Sequence, residues 1–401
     1  MSIFGKEEIQ QTTTPTDFIL NIIQQAYLAG VSDIHIEALK ETGRIRFRIN
    51  GDIVDSGIEL SVEQLPLVSN SLKVMANLPY QTSELPEDGR LTATLQNSQG
   101  SFEEVDIRLS IFPTTRGDAI VLRILNQSEM LLSMKELGMD NDSLIQLQRL
   151  SMRSYGMILI NGPVGSGKTT TMYSIISELS KNDTKKNIIT LEDPVEYSFD
   201  MVRQSQIKSS IGYTFAEGMK SILRQDPDIV MIGEIRDSET ASYALEAALS
   251  GRSVFSTIHA NSAIGTVARL IDLKIERGLF CYALNGAIAQ RLVKKICPHC
   301  KEDYSPRLDY IRMLGLENEN ISFKKGAGCE ACNGSGYHGR TGVFEILEFN
   351  DEIRSAIIEK LSNFEVVEIA KKTGFRTLIE DAINKIKAGD ITVEDVIKIV
   401  L

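Results

Sequence analysis

Gly162-Pro163-Val164-Gly165-Ser166-Gly167-Lys168-Thr169 fits the phosphate-loop pattern G-x-x-x-x-G-K-T without a mismatch. The run sits in the context that the pattern requires. Before it, Gly156-Met157-Ile158-Leu159-Ile160 reads as a short buried strand, and after it residues 170–180 read as a helix opening on Thr170. Three glycines let the backbone fold back, so that consecutive N–H groups and a helix N-terminus converge on one anion. Lys168 is placed to reach the outer phosphates, and the Thr169 hydroxyl to bind Mg²⁺. A glycine-rich turn can match such a pattern by chance. Strand, loop and helix in register outweigh that reading, and the implied ligand is a nucleoside triphosphate with Mg²⁺.

Outward from the loop, residues 143–290 alternate short apolar runs with helical patterns, the signature of a mostly parallel sheet with helices on both faces. Its expected strands are Met157–Ile160, Ile188–Leu191, Ile229–Ile232 and Ser253–Ile258. Ligands of such sheets bind beyond the C-terminal strand ends, and acids gather there. Leu191-Glu192-Asp193-Pro194-Val195-Glu196-Tyr197 places adjacent carboxylates at one strand end, and Ile229-Val230-Met231-Ile232-Gly233-Glu234 is an apolar strand followed by an acid, a Walker B arrangement. Glu234 is the expected catalytic base, with Glu192 and Asp193 organising metal and water. Any one acid alone would read as a solvated strand end, and for Glu196 that reading is as good. Ser256-Thr257-Ile258-His259 ends a further strand on the same edge, where His259 would sense the γ-phosphate or bond Glu234. The transition state spreads charge over phosphoryl oxygens and calls for arginine. Candidates are Arg224 and Arg236, which flank Walker B, and Arg90, Arg108 and Arg123 from an earlier domain.

That earlier domain occupies residues 16–126, with a helix capped by Thr16 and closed by Gly30. Arg44-Ile45-Arg46-Phe47-Arg48-Ile49 alternates with period two, burying Ile45, Phe47 and Ile49 and gathering three arginines on the other face. Asn50-Gly51 is a hairpin turn. Residues 1–15 read as a flexible N-terminus, 127–142 as a linker, and 143–401 as the nucleotide domain, with 346–401 helical and the last helix capped by Thr392 and Asp395. The 401 residues allow two or three cored domains. No apolar run approaches the roughly 18 residues of a membrane span. A net charge of −11 argues against a chain built to grip nucleic acid.

Cys297-Pro298-His299-Cys300 and Cys329-Glu330-Ala331-Cys332 lie 28 residues apart within a glycine-rich stretch, residues 291–345. Each pair is a thiolate chelate, and four cysteines leave no open coordination position. Structural Zn²⁺ fits better than a redox pair, because two pairs occur together. His299 is left outside the coordination set, and Cys281 reads as a buried free thiol.

In this order the motifs resemble the secretion ATPase superfamily, specifically the type II secretion and type IV pilus assembly ATPases. The resemblance spans nearly the whole chain. Ser32-Asp33-Ile34-His35-Ile36-Glu37 with the Arg108 and Arg123 strands is similar to the family's second N-terminal domain. Gly162–Thr169, Glu192–Glu196, Arg224–Arg236, Thr257–His259, Gln290-Arg291-Leu292, the four cysteines and Gly339-Arg340-Thr341-Gly342 complete it. It implies a PAS-like α/β domain followed by a RecA-like ATPase domain carrying a zinc insertion. It further implies a cytoplasmic homohexamer at the inner membrane, on a polytopic platform protein, driving pilin or pseudopilin assembly by ATP hydrolysis. Arginines matching Arg108, Arg123, Arg224, Arg236 and Arg340 are implied to contact nucleotide or neighbouring subunits. The chain departs from the pattern in opening almost at the second N-terminal domain and in carrying Lys220 where arginine is usual. The cysteine pairs, and no arginine-rich C-terminal motif, favour pilus extension over retraction. A nucleic-acid translocase and a non-hydrolysing scaffold are the competing readings; charge opposes the first, and Lys168, Thr169 and Glu234 oppose the second.

Overall fold

The computed structural model describes residues 14–79, 85–97, 99–125 and 131–399, in two compact units divided between Gln127 and Ser128. Most of the expected flexible N-terminus and the start of the expected linker therefore lie outside the described residues.

In the first unit a helix, Pro15–Leu28, precedes six strands: β1 (Val31–Ala38), β2 (Thr42–Ile49), β3 (Asp52–Ser61), β4 (Glu87–Gln96), β5 (Phe102–Thr114) and β6 (Gly117–Leu125). The cap of that helix is Thr14, whose side chain accepts the Asp17 N–H, and not Thr16. Pro15 explains the shift, because a residue with fixed φ and no N–H suits the first helical position. The strands run antiparallel in the order β3-β2-β1-β6-β5-β4. Asn50 and Gly51 turn β2 into β3 with φ of +51° and +91°, as the hairpin reading requires. Ile34, Ile36, Ile45 and Phe47 share a core with Ile19, Ile22 and Ile23 of the helix and Val68 and Leu72 of a second helix, Gln64–Met75. The opposite face carries the arginines. Arg90, Arg108 and Arg123 lie in register across β4, β5 and β6. Like charges set side by side repel, and interleaved carboxylates offset this: Arg123 bonds Asp33 at 2.7 Å and Arg90 bonds Asp106 at 2.9 Å.

The second unit holds β7 (Gly156–Asn161), β8 (Ile188–Glu192), β9 (Arg203–Gln206), β10 (Ile229–Ile232), β11 (Ser253–Ile258), β12 (Leu284–Ile296), a small hairpin of β13 (Lys301–Asp303) and β14 (Lys324–Gly326), and β15 (Tyr337–Glu348). Its main sheet has the order β15-β12-β7-β11-β10-β8-β9, parallel except for β15. Every residue of β7, β10 and β11 is buried, which is why these strands read as unbroken apolar runs. One strand, β11, separates the loop-bearing β7 from the acidic β10.

Two features depart from the sequence reading. The divisions at 290/291 and 345/346 fall inside β12 and β15, which pair antiparallel and widen the sheet. The stretch from residue 131, expected as linker, instead buries Met134 and Leu137 in a core with Met172 and Phe344. The C-terminal helices are present at Asp351–Ile358, Asn363–Lys371, Leu378–Lys387 and Val393–Ile399. The Asp395 N–H meets Thr392 Oγ1 at 3.2 Å, as the expected cap requires.

Candidate active site and metal centre

The phosphate loop leaves β7 at Asn161 and enters the helix Lys168–Asn182, whose N-cap is Gly167 at φ +87°, with no side chain capping it. Its first N–H groups are thereby left for an anion. Two glycines are required by close approach. A Cβ on Gly162 would fall 2.5 Å from both Gln290 O and Ser166 Oγ, and one on Gly167 would fall 2.7 Å from Gln290 Nε2. Gln290, on β12, also accepts from Thr171 Oγ1 at 2.8 Å, so it braces loop and helix together. Pro163, Val164, Gly165 and Thr169 are exposed along the loop, whereas Ser166 is buried with its Oγ unpartnered. Lys168 Nζ donates to the carbonyls of Gly162 and Pro163, both at 2.9 Å, so the ammonium folds over the cradle. Burial lowers its pKa, and Glu234 opposes that shift. An orphaned hydroxyl, an uncapped helix start and a lysine over the loop fit a polyphosphate.

The acidic turn after β10 is sewn to both neighbouring strands. Gly233 N donates to Leu191 O at 2.7 Å, Ile235 N to Thr257 O at 2.9 Å, and Thr257 Oγ1 to Gly233 O at 2.7 Å. These bonds place Glu234 beside His259, with Oε2 and Nε2 3.6 Å apart, too long for a direct hydrogen bond. Arg236 bonds Glu234 Oε1. Burial raises the Glu234 pKa, but Arg236 first, then His259 and Lys168, outweigh it and hold the carboxyl below its ordinary range. Asp193 is exposed and lies within electrostatic reach of Arg236.

Glu192 is placed differently from the expected metal-side acid. It is buried, and both its oxygens are taken: Tyr173 and Thr190 donate their hydroxyls, and Gln204 Nε2 donates at 3.0 Å. Arg224 is exposed and donates to Lys220 O at 2.8 Å. Lys220 itself pairs with Glu217 and Glu239 and lies over the Tyr243 ring. Arg340 is on β15 opposite Lys294, four residues along the strand from the pairing of Phe344 with Gln290. Arg108 and Arg123 belong to the first unit.

Three residues to which sequence reading gave no role also shape this edge. Tyr173 is one. Glu345, on β15, is buried and accepts the N–H of Ala263 at 2.6 Å and of Leu378 at 3.2 Å, fixing the loop after His259. Arg291 donates to Asn261 O at 2.9 Å in the same loop. For Glu345 the available signal was a carboxylate inside the apolar run of β15, since a buried carboxylate must be bonded.

At the far end of β12 and β15 the four cysteines converge, with all Sγ atoms within 4.8 Å of one another. Cys297 and Cys329 are 3.9 Å apart, Cys300 and Cys332 3.9 Å, and Cys329 and Cys332 3.7 Å. Tetrahedral thiolates at Zn–S distances of about 2.3 Å lie about 3.8 Å apart, whereas a disulfide needs about 2.05 Å. Backbone N–H groups of Gly328, Cys329 and Gly336 point at Cys300 or Cys332 sulfur, at 3.2 to 3.3 Å. This donor set suits a metal-bound thiolate cluster. His299 is exposed outside it, and burial pushes the Cys281 thiol up to about 11.

Residues 9–398 match the family model described as "Type II/IV secretion system protein". The chain is 38% identical over 392 residues to the type II secretion system protein E of Pseudomonas aeruginosa, covering 97% of this chain and 76% of that one. It is 39% identical over 383 residues to the type IV pilus assembly ATPase PilB of Thermus thermophilus, covering 95% and 42%. Among solved structures it resembles the pilus retraction motor PilT with bound ADP at 27% identity and a TM-score of 0.63, covering 95% and 96%. The Legionella pneumophila ATPase DotB shares the fold with a TM-score of 0.71 at 22% identity, covering 96% and 95%.

Proposed function

The chain belongs to the type II/IV secretion system protein family, and on that footing we propose that it is a hexameric ATPase driving assembly of a type IV pilus or a type II secretion pseudopilus. One observation carries the reading: Lys168, Glu234, Arg236 and His259 gather at the C-terminal edge of a parallel sheet, at the mouth of an uncapped phosphate loop. Gly162 to Thr170 would hold the triphosphate, with Thr169 and the exposed Asp193 on the metal side. Mg²⁺ supplies charge neutralisation on the phosphates when bound. Glu234 Oε1 is occupied by Arg236, so Oε2, facing His259, would orient water and take its proton. Arg236, together with Arg108, Arg123, Arg224 and Arg340, would balance phosphoryl charge or meet a neighbouring copy.

The four cysteines would hold one structural Zn²⁺, and a polytopic platform protein would seat the hexamer at the cytoplasmic face of the inner membrane. Among the described residues no helix is long and apolar enough to cross a membrane. Assembly is favoured over retraction because the relatives at 36–39% identity carry secretion or assembly names. The test is phosphate release by the assembled protein. The wild type should turn over Mg-ATP, and Lys168→Ala should lose nucleotide binding and turnover together. Wild-type levels of turnover in Lys168→Ala would refute the proposal.

A further inference from the structure

Tyr173 follows Lys168 by five residues in the helix Lys168–Asn182 and is 0% exposed. A phenylalanine would fill the same volume, and a buried hydroxyl costs free energy unless it is bonded. Here it is bonded twice, and both partners lie in another segment. It donates to Glu192 Oε2 and accepts the Glu196 N–H at 3.1 Å. Those two residues bracket the turn that carries Asp193. Phe199 stands edge-on to the Tyr173 ring with centroids 5.2 Å apart.

Resting on the nucleotide-site reading above, we infer that Tyr173 is a positioning residue: it fixes the Asp193 turn against the phosphate-loop helix, and Glu192 is the buried anchor of that tether. Neither residue touches substrate. The tether sets the spacing between the phosphate-loop side of the site, Lys168 and Thr169, and the acidic side, Asp193. Both Glu192 oxygens already accept hydrogen bonds, Oε1 from Thr190 and Gln204 and Oε2 from Tyr173. It acts by holding the tyrosine.

The discriminating comparison is Tyr173→Phe against Thr190→Val in the full chain. Thr190 also donates to Glu192, but from the same strand, so its loss weakens the anchor without cutting the link to the helix. Tyr173→Phe should lower kcat about tenfold to a hundredfold while KM for ATP changes by less than about twofold. It should also raise the Mg²⁺ concentration for half-saturation of a fluorescent ATP analogue, and speed amide exchange across residues 193–197. Thr190→Val should keep turnover and Mg²⁺ dependence near wild type. Equal losses in both variants, or unchanged exchange and Mg²⁺ dependence in Tyr173→Phe, would overturn the tether while leaving the nucleotide site standing. A wild-type chain that neither binds the analogue nor hydrolyses ATP would overturn both.

Discussion

Glu234 sits under opposing influences: burial favours the neutral acid, and Arg236, His259 and Lys168 favour the carboxylate and prevail. A base with a depressed pKa stays ionised at neutral pH, so the acid limb of kcat/KM should lie on the low side of the ordinary carboxylate range. Arg236→Ala removes the leading stabiliser of the charged form and leaves the burial. The carboxyl pKa should then rise, and the acid limb should move to higher pH. An unmoved limb would mean that Arg236 does not govern the group that titrates. Individual residues were unevenly legible in the sequence. Lys168 and Gly162 announce themselves, because the loop geometry admits few alternatives. Glu192 read as an open strand-end acid, since its donors Tyr173 and Gln204 reach it from 19 residues upstream and 12 downstream. No local pattern reports such a partner.

Among the elements, β7, β10 and β11 were legible because strands covered on both faces become short apolar runs. β12 and β15 were not. Gly286, Ala287 and Ala289 weaken the strand signal in one, and the buried Glu345 interrupts the apolar run of the other. Thr14 and Thr16 both qualify as caps by type, and only the placement of Pro15 separates them. The β12–β15 pair has a consequence at its tip. If the cysteine cluster holds zinc, elemental analysis should find one per chain, and Cys297→Ser should lose it. Structural zinc carries about 10–16 kcal/mol of apparent binding free energy. Metal loss should therefore unprotect amides of residues 297–336, while β7, β10 and β11 stay protected. Freshly reduced protein without metal would count against the site. At the C-terminus, Thr392→Ala removes a cap and should cost about 1 kcal/mol of stability, read from denaturant midpoints.

For the whole molecule, one α/β unit carries arginines in register on a sheet face and the other carries the phosphate loop. If arginines from a neighbouring copy complete each site, specific activity should rise with protein concentration until the proposed hexamer forms, as sedimentation would register. Activity flat with concentration in a monomer would contradict that. The net charge of −11 predicts negligible DNA binding at moderate salt, and tight binding that weakens steeply with salt would favour a translocase instead. The most direct measurement is the identity of the nucleotide recovered bound to Glu234→Gln after incubation with a stoichiometric amount of Mg-ATP. Bound ATP should be left intact, where the wild type retains ADP. Wild-type conversion to ADP in that variant would contradict it.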